Sequence, residues 1–258
     1  MGPAGWARRS MGLAAIWLGL AGPAAAGAWP APVGHGQVIV KLEEETATLG
    51  LDGSGQTLAI PRQTLTFIDL YADYGLTPDL SLQVTAGLER SRLGVRQVDG
   101  AGPCSLGVRY VLARPWGGFL TAYAGATTPA ADQATRSDPA AGQAGGELRL
   151  LAGRSFRVFG RDLFAEAETA RLLGGGHENQ TRIDGTLGIQ LRPRLLLLSQ
   201  VYSGRQEGGA SGASWVKLDE SVVRTFGAWR AQLGWRRTLA GRNLPVTTGP
   251  VIGLWRRY

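Results

Sequence analysis

Cysteine is nearly absent from this 258-residue chain: Cys104 stands alone. No intramolecular disulfide can staple the fold, which excludes a disulfide-rich extracellular module. Histidine is almost as scarce, at His35 and His177, and leaves little material for a histidine-based catalytic or metal centre. Lysine occurs only at Lys41 and Lys217, so arginine carries nearly all of the formal charge of +7. Charged residues make up only 18% of the chain, fewer than a water-facing surface usually shows. Beyond the N-terminus no apolar run approaches the roughly 20 residues a membrane-crossing helix needs, and Leu195 to Leu198 is a tetrad, so a helical membrane protein is excluded. Long amphipathic helical patterns and domain linkers are missing as well.

The N-terminus is the exception to this sparseness. Arg8 and Arg9 precede an apolar run from Met11 to Gly22, followed by the small residues Ala24 to Ala28. That order of basic, apolar and small-residue regions predicts a secretory signal peptide over residues 1–28, with cleavage after Ala26 or Ala28. The apolar run is too short for a spanning anchor, and no cysteine follows either site to carry a lipid. Loss of Arg8 and Arg9 lowers the charge to +5, with 25 basic against 20 acidic side chains. A basic balance can mark nucleic-acid binding. Here, however, the arginines alternate singly with apolar residues instead of clustering, which fits lipid phosphates and a polar lumen better; no nucleic-acid partner is implied.

What the chain does contain is strict alternation. From Thr181 to Arg192 an apolar set (Ile183, Leu187, Ile189, Leu191) interleaves with a polar one (Arg182, Asp184, Thr186, Gln190), the period of a β-strand whose faces meet different surroundings. About twelve such segments are recognisable: 35–45, 62–76, 80–92, 102–113, 117–128, 144–155, 161–173, 179–192, 194–205, 214–226, 228–239 and 247–258. Tight turns at Thr77-Pro78-Asp79, Arg114-Pro115-Trp116-Gly117, Arg192-Pro193-Arg194 and near Gly227 alternate with longer connections at 46–61, 93–101, 129–143, 174–178, 206–213 and 240–246. Short turns at one end and long loops at the other predict an all-β, up-and-down antiparallel transmembrane β-barrel in a single domain over 29–258, with periplasmic termini.

A soluble β-sandwich or lipocalin-like barrel alternates too, with the apolar parity facing inward. Three features favour the membrane orientation. The polar parity is rich in Gly, Thr, Ser and Gln, the charged content is low, and aromatic residues (Tyr74, Trp116, Trp215, Trp229, Trp255) stand near strand ends, as interfacial girdles do. In that orientation Asp69, Asp73, Glu89, Arg109, Arg182, Asp184, Arg230 and Arg236 are the candidate lumen-lining residues, together with Arg149 and either Glu166 or Glu168. Such a set of both signs cannot fill a dry core.

The alternating segment that ends in Tyr258 resembles the terminal strand of Gram-negative outer-membrane β-barrel proteins, and the likeness extends through the signal and the strand pattern. The general pattern is similar to porin-like and transporter-like barrels, including those grouped with phenol-degradation pathways. The resemblance implies recognition by the barrel assembly machinery through the strand ending at Tyr258, and contact with outer-membrane lipid and lipopolysaccharide. Arg256 departs from it, standing where such strands usually carry Tyr or an apolar residue; a long arginine can snorkel to the membrane interface.

Barrel lipid hydrolases use Ser with His as general base. His35 lies at the start of the first strand, at the periplasmic end, and His177 in the outer loop Gly174 to Asn179 beside Glu178. No nucleophile elbow, zincin pattern, phosphate loop or zinc spacing accompanies them, so no catalytic residue, metal or cofactor is assigned. Asp69 and Asp73, four apart on one face, read as lumen charge before they read as an aspartyl pair. Glu43, Glu44 and Glu45 crowd what the pattern takes for the outer end of the first strand; with Arg62 they offer a place for a divalent ion or a lipopolysaccharide phosphate, although a solvated strand end is the plainer reading. The sequence predicts a non-enzymatic channel or passive transporter for small polar or charged solutes, against two alternatives: a lipid-modifying hydrolase and a non-conducting structural or adhesion barrel.

Overall fold

The computed structural model describes residues 27–94, 96–128, 145–174, 179–207 and 212–258. One antiparallel sheet runs through β1 (Gly36–Leu51), β2 (Thr57–Gly75), β3 (Leu80–Leu93), β4 (Arg96–Ala101), β5 (Cys104–Ala113), β6 (Gly118–Thr128), β7 (Gly145–Val158), β8 (Arg161–Gly174), β9 (Gln180–Arg192), β10 (Leu195–Gln206), β11 (Ser214–Phe226), β12 (Trp229–Arg242), β13 (Leu244–Pro245) and β14 (Thr248–Arg257). β1 pairs with β2 on one side and with β14 on the other, so the sheet closes on itself and leaves no edge around the wall. Twelve strands build that wall; β4 and β13 are short additions at the outer end.

Burial settles which parity faces where. Leu233, Ile183 and Leu148 are 66%, 62% and 55% exposed, whereas Arg109, Glu45 and Asp219 are 1%, 1% and 0% exposed. Along β9, Ile183, Leu187 and Leu191 lie on the outside, and Arg182, Asp184 and Thr186 are shielded within. An outward apolar belt and an inward charged wall are the reverse of a soluble barrel and match one that stands in lipid.

The short turns have local causes. Phe159 and Gly160 both take positive φ (50° and 73°), the two-residue type I′ geometry whose twist suits a hairpin. In the turn before β3, the Thr77 hydroxyl oxygen accepts the amide of Leu80 at 3.0 Å. At the same end, Gly36 and Tyr258 exchange backbone bonds at 3.1 Å, which zips the start of β1 to the residue after β14.

The outer end is more ordered than alternation suggests. The connection at 46–61 is largely strand: β1 runs to Leu51, β2 starts at Thr57, and the Asp52 carboxylate caps the tip by accepting the amides of Ser54 (2.8 Å) and Gln56 (2.9 Å). The connection at 93–101 holds β4, which pairs with β3 from Leu88↔Ala101 to Leu93↔Arg96. Likewise β12 reaches Arg242, and β13 folds back onto Gly50 and Leu51. These segments stand above the lipid, where backbone ladders persist but no apolar face is required, so the period that betrays a strand disappears. The connections at 129–143, 174–178 and 206–213 lie largely outside the described residues.

Two of the girdle aromatics turn inward. Trp215 packs on Gly204, and Trp255 is buried with its indole NH donating to Gln232 Oε1 at 3.1 Å. Trp116, Trp229 and Tyr74 remain exposed. Arg256 also faces out, its guanidinium 4.8 Å from the centre of the Trp229 ring, an arrangement that holds a cation at an aromatic interface.

Candidate functional site

The inward parity of the twelve strands converges on one interior, where side chains meet across strands that do not pair. On one wall Glu43 of β1 accepts Lys41 Nζ (3.1 Å) and is bonded by Arg236 of β12; Arg236 also reaches Asp219 Oδ2 of β11 (3.2 Å) and lies over the Tyr202 ring. Lys217 of β11 pairs with Glu45 at 2.6 Å. Below this cluster, Ser221 donates to Asp219 (2.6 Å) and Gln232 to Ser221 (2.9 Å), which continues the network to Trp255.

The opposite wall repeats the pattern on β7, β8 and β9. Glu147 receives Arg149 (2.8 Å) and Arg182 (2.6 Å), and Arg149 also stands 3.6 Å from Glu168 and over the ring of Tyr123. Asp184 accepts the backbone amide of Ser203 at 3.1 Å. Each network mixes signs, as buried or half-buried charges must.

A third group lies in the half of the interior nearer the termini, and it is built around the chain preceding β1. Asp73 and Arg109 pair at 3.1 Å, and Tyr71 bridges them, donating to Asp73 (3.1 Å) and accepting from Arg109 (3.2 Å). The guanidinium of Arg109 goes on to the Gly27 carbonyl at 2.6 Å. Thr121 donates to the Ala28 carbonyl (2.8 Å), the Ala28 amide donates to Glu166 Oε2 (2.6 Å), and the Ala31 amide to Ser81 Oγ (3.2 Å). Ala28 is fully buried beside Tyr123 and Leu151, and Trp29 meets Phe164 edge to face at 5.7 Å. Segment 27–32 therefore sits inside the barrel on polar and apolar contacts from at least five strands. Gly153 makes room for it: a Cβ there would fall 2.6 Å from Ala28 Cβ and 2.8 Å from the Trp29 ring.

Four of the eight residues picked from the sequence thus join ion pairs: Asp73 with Arg109, Arg182 with Glu147, and Arg236 with Glu43 and Asp219. Asp184 bonds a backbone amide instead. Asp69 stands half-buried opposite Gly87, Glu89 lies further toward the outer end of β3, and Arg230 is half-buried near the periplasmic end of β12. Asp69 and Asp73 do not form a carboxylate pair, because Asp73 is committed to Arg109 and Tyr71. Glu166 and Glu168 both point inward.

The candidate lumen set drawn from the sequence lacks Lys41, Glu43, Glu45, Glu147, Lys217 and Asp219, all of which form ion pairs in the interior. Glu43 and Glu45 were read as an outer strand end; the continuation of β1 to Leu51 puts them mid-wall, facing inward and bonded to interior cations, so they do not offer an outer divalent or phosphate site. Lys217, Asp219 and Ser221 share one parity of a segment already read as strand, a signal that was present. His35 is at the periplasmic rim, its Nδ1 3.2 Å from the Tyr258 carbonyl oxygen; His177 lies outside the described residues.

Two hollows lie toward the two ends of the barrel. One of about 840 Å³ runs along the outer end of β9 to β12 and is lined largely by the outward face of the wall, with Ile183, Ser203 and Arg205 on it and Trp215 beside it. Another of about 360 Å³ lies at the periplasmic mouth between Trp29 to Pro32 and the end of β14, bordered by Asp73, Arg257 and Tyr258.

No protein-family model matches the chain, and a comparison with curated sequences gives no match. Among solved structures, it is similar to an outer-membrane channel from Pseudomonas putida F1, with a TM-score of 0.66 over 91% of this chain and 99% of that one, at 15% identity. The fold is that of a bacterial outer-membrane β-barrel. The translocator domain of the autotransporter NalP from Neisseria meningitidis is also similar, with a TM-score of 0.53 over 92% of this barrel and 90% of that domain, at 13% identity. An outward apolar belt on this fold places the barrel in the outer membrane.

Proposed function

We propose that this barrel is a passive outer-membrane channel for small polar or charged solutes, closed at its periplasmic half by segment 27–32 in the state described. The observation that carries this reading is the interior wall itself, on which Asp69, Asp73, Glu89, Arg109, Arg182, Asp184, Arg230 and Arg236 stand with Lys41, Glu43, Glu45, Glu147, Lys217 and Asp219. Charges of both signs on facing walls create a field across the passage, which discriminates among solutes by charge and dipole. Barrels of about 8 strands are filled by side chains and those of 16 to 18 hold a wide channel, so twelve strands suit a narrow one.

Wetness of the interior has its own support. Arg149 Nε, Arg182 Nε, Arg236 Nε and Glu45 Oε1 are buried and have no protein partner among the described residues. Buried polar atoms are rarely left unbonded, so these four call for water or a passing solute.

Planar-bilayer recordings and liposome swelling test the reading, on the intact barrel and on a variant lacking 27–34. The expected result is low conductance in the intact barrel and a larger, ion-selective conductance in the shortened one. Absence of current and of solute uptake in both would overturn the channel and leave a non-conducting structural barrel.

A further inference from the structure

The sequence offers two signal cleavage positions, after Ala26 and after Ala28, and the interior distinguishes them. We propose that export processing cuts between Ala26 and Gly27, and that the α-ammonium so released is received by Glu166 and Glu168 inside the barrel.

The seat is made for a chain that still has Gly27 and Ala28. Cleavage after Ala28 would deprive Arg109 of the Gly27 carbonyl, Thr121 of the Ala28 carbonyl and Glu166 of the Ala28 amide. It would also empty the fully buried space that Ala28 occupies beside Tyr123 and Leu151. Three polar groups that each lose a partner in a shielded interior, together with a cavity, form an unfavourable combination. Cleavage after Ala26 keeps every one of these contacts.

It also supplies a charge where one is wanted. A side-chain carbon on Gly27 would lie 3.3 Å from Glu166 Oε1 and 3.5 Å from Glu168 Oε2, and the Gly27 nitrogen is bonded to the same Cα. Glu166 forms no ion pair with any described side chain, and Glu168 has a single long one, to Arg149 at 3.6 Å. Hydrolysis of the Ala26–Gly27 amide by the exporting cell's signal peptidase consumes one water: the carboxylate leaves with the leader, and the Gly27 nitrogen takes up protons to become –NH₃⁺. That group offers three donors to two carboxylates that lie beside it, the charge-assisted bonding that makes a buried ion favourable. The absence of a side chain at Gly27 is part of the fit, since any Cβ would run into Leu151. Processing thus turns an uncharged peptide link into the anchoring cation of the seated segment.

The proposal rests on the leader and the seat, so its first readout is independent of conduction. Intact mass and N-terminal sequencing of the barrel purified from outer membranes are expected to give a chain starting at Gly27; a start at Trp29, or anywhere else, overturns it. The second readout is the rate at which an amine-reactive label modifies the N-terminal peptide, resolved from Lys41 and Lys217 by peptide mapping. Labelling is expected to be about tenfold or more slower in the folded barrel than in the Glu166→Gln/Glu168→Gln variant, because reaction then waits for release of the segment. Where that variant fails to fold, Gly153→Val, which crowds Ala28 and Trp29, serves as the released comparator. Labelling as fast in the folded wild type as in denaturant would overturn the ammonium seat even with Gly27 as the first residue.

Discussion

Lys217 and Glu45 are joined at 2.6 Å although β12 and β14 stand between their strands. The pair is a strut across the curve of the wall. Lys217→Met strands a carboxylate that is almost fully buried, with an expected cost of up to about 3 kcal/mol, while Lys217→Met/Glu45→Met is expected to recover most of it. Urea titration of vesicle-embedded barrel measures both. Equal stability of the single and double variants would show that the pair is not coupled.

Gly153→Val is expected to raise single-channel conductance several-fold while leaving the barrel folded. Its Cβ meets the seated segment and not the strand ladder, which is also why the same change in Gly146, where a Cβ meets nothing, is expected to be silent. Bilayer recordings of the two variants side by side decide the matter.

Leu233→Arg places a charge on the lipid side of β12, four residues beyond the interfacial Trp229. The expected penalty is about 2 to 4 kcal/mol, as for arginine near a bilayer midplane. If folding into vesicles is unimpaired, the outward orientation of this face is wrong.

At the outer hairpin, hydrogen bonds from the Ser54 hydroxyl and the Gln56 amide hold the Asp52 carboxyl below the usual carboxylate range. A depressed value means the stabilisation is complete above the ordinary value and fades as pH falls through the lowered one. The protection factors of the Ser54 and Gln56 amides, which correct for the intrinsic pH dependence of exchange, are therefore expected to hold down to mildly acidic pH and to fall below it. Asp52→Ala is expected to show the lowered protection already at neutral pH.

Much of this architecture was legible beforehand, and the illegible part follows from where lipid ends. Within the membrane each strand must be apolar outside, so Ile183, Leu187 and Leu191 announce β9 as a strand, while its orientation needs the low charge, the Gly-, Thr-, Ser- and Gln-rich polar parity and the strand-end aromatics as well. Above it the demand lapses, and Arg96 to Ala101 or Thr57 to Ala59 look like loop while pairing as strand. The same lapse misplaced Glu43 and Glu45: with β1 cut short at residue 45, its midpoint became its rim. Trp215 and Trp255 show a second limit, because an aromatic near a strand end suits a girdle equally well whichever way it points. The seat of segment 27–32 carries no period at all; it exists only in the meeting of Arg109, Thr121, Ser81 and Glu166 from four separate strands.

The bonds between Gly36 and Tyr258 bring together residues separated by nearly the whole barrel in sequence. Pairings of such long range carry a large closure entropy, which orders events in time: local hairpins can form early, and the β1–β14 seam shuts late. Only three residues separate Pro32 at the end of the seated segment from Gly36 at the edge of that seam. The segment is thus expected to find its seat only as the seam closes, so a barrel that conducts as proposed would acquire its plug in the same step that seals its wall.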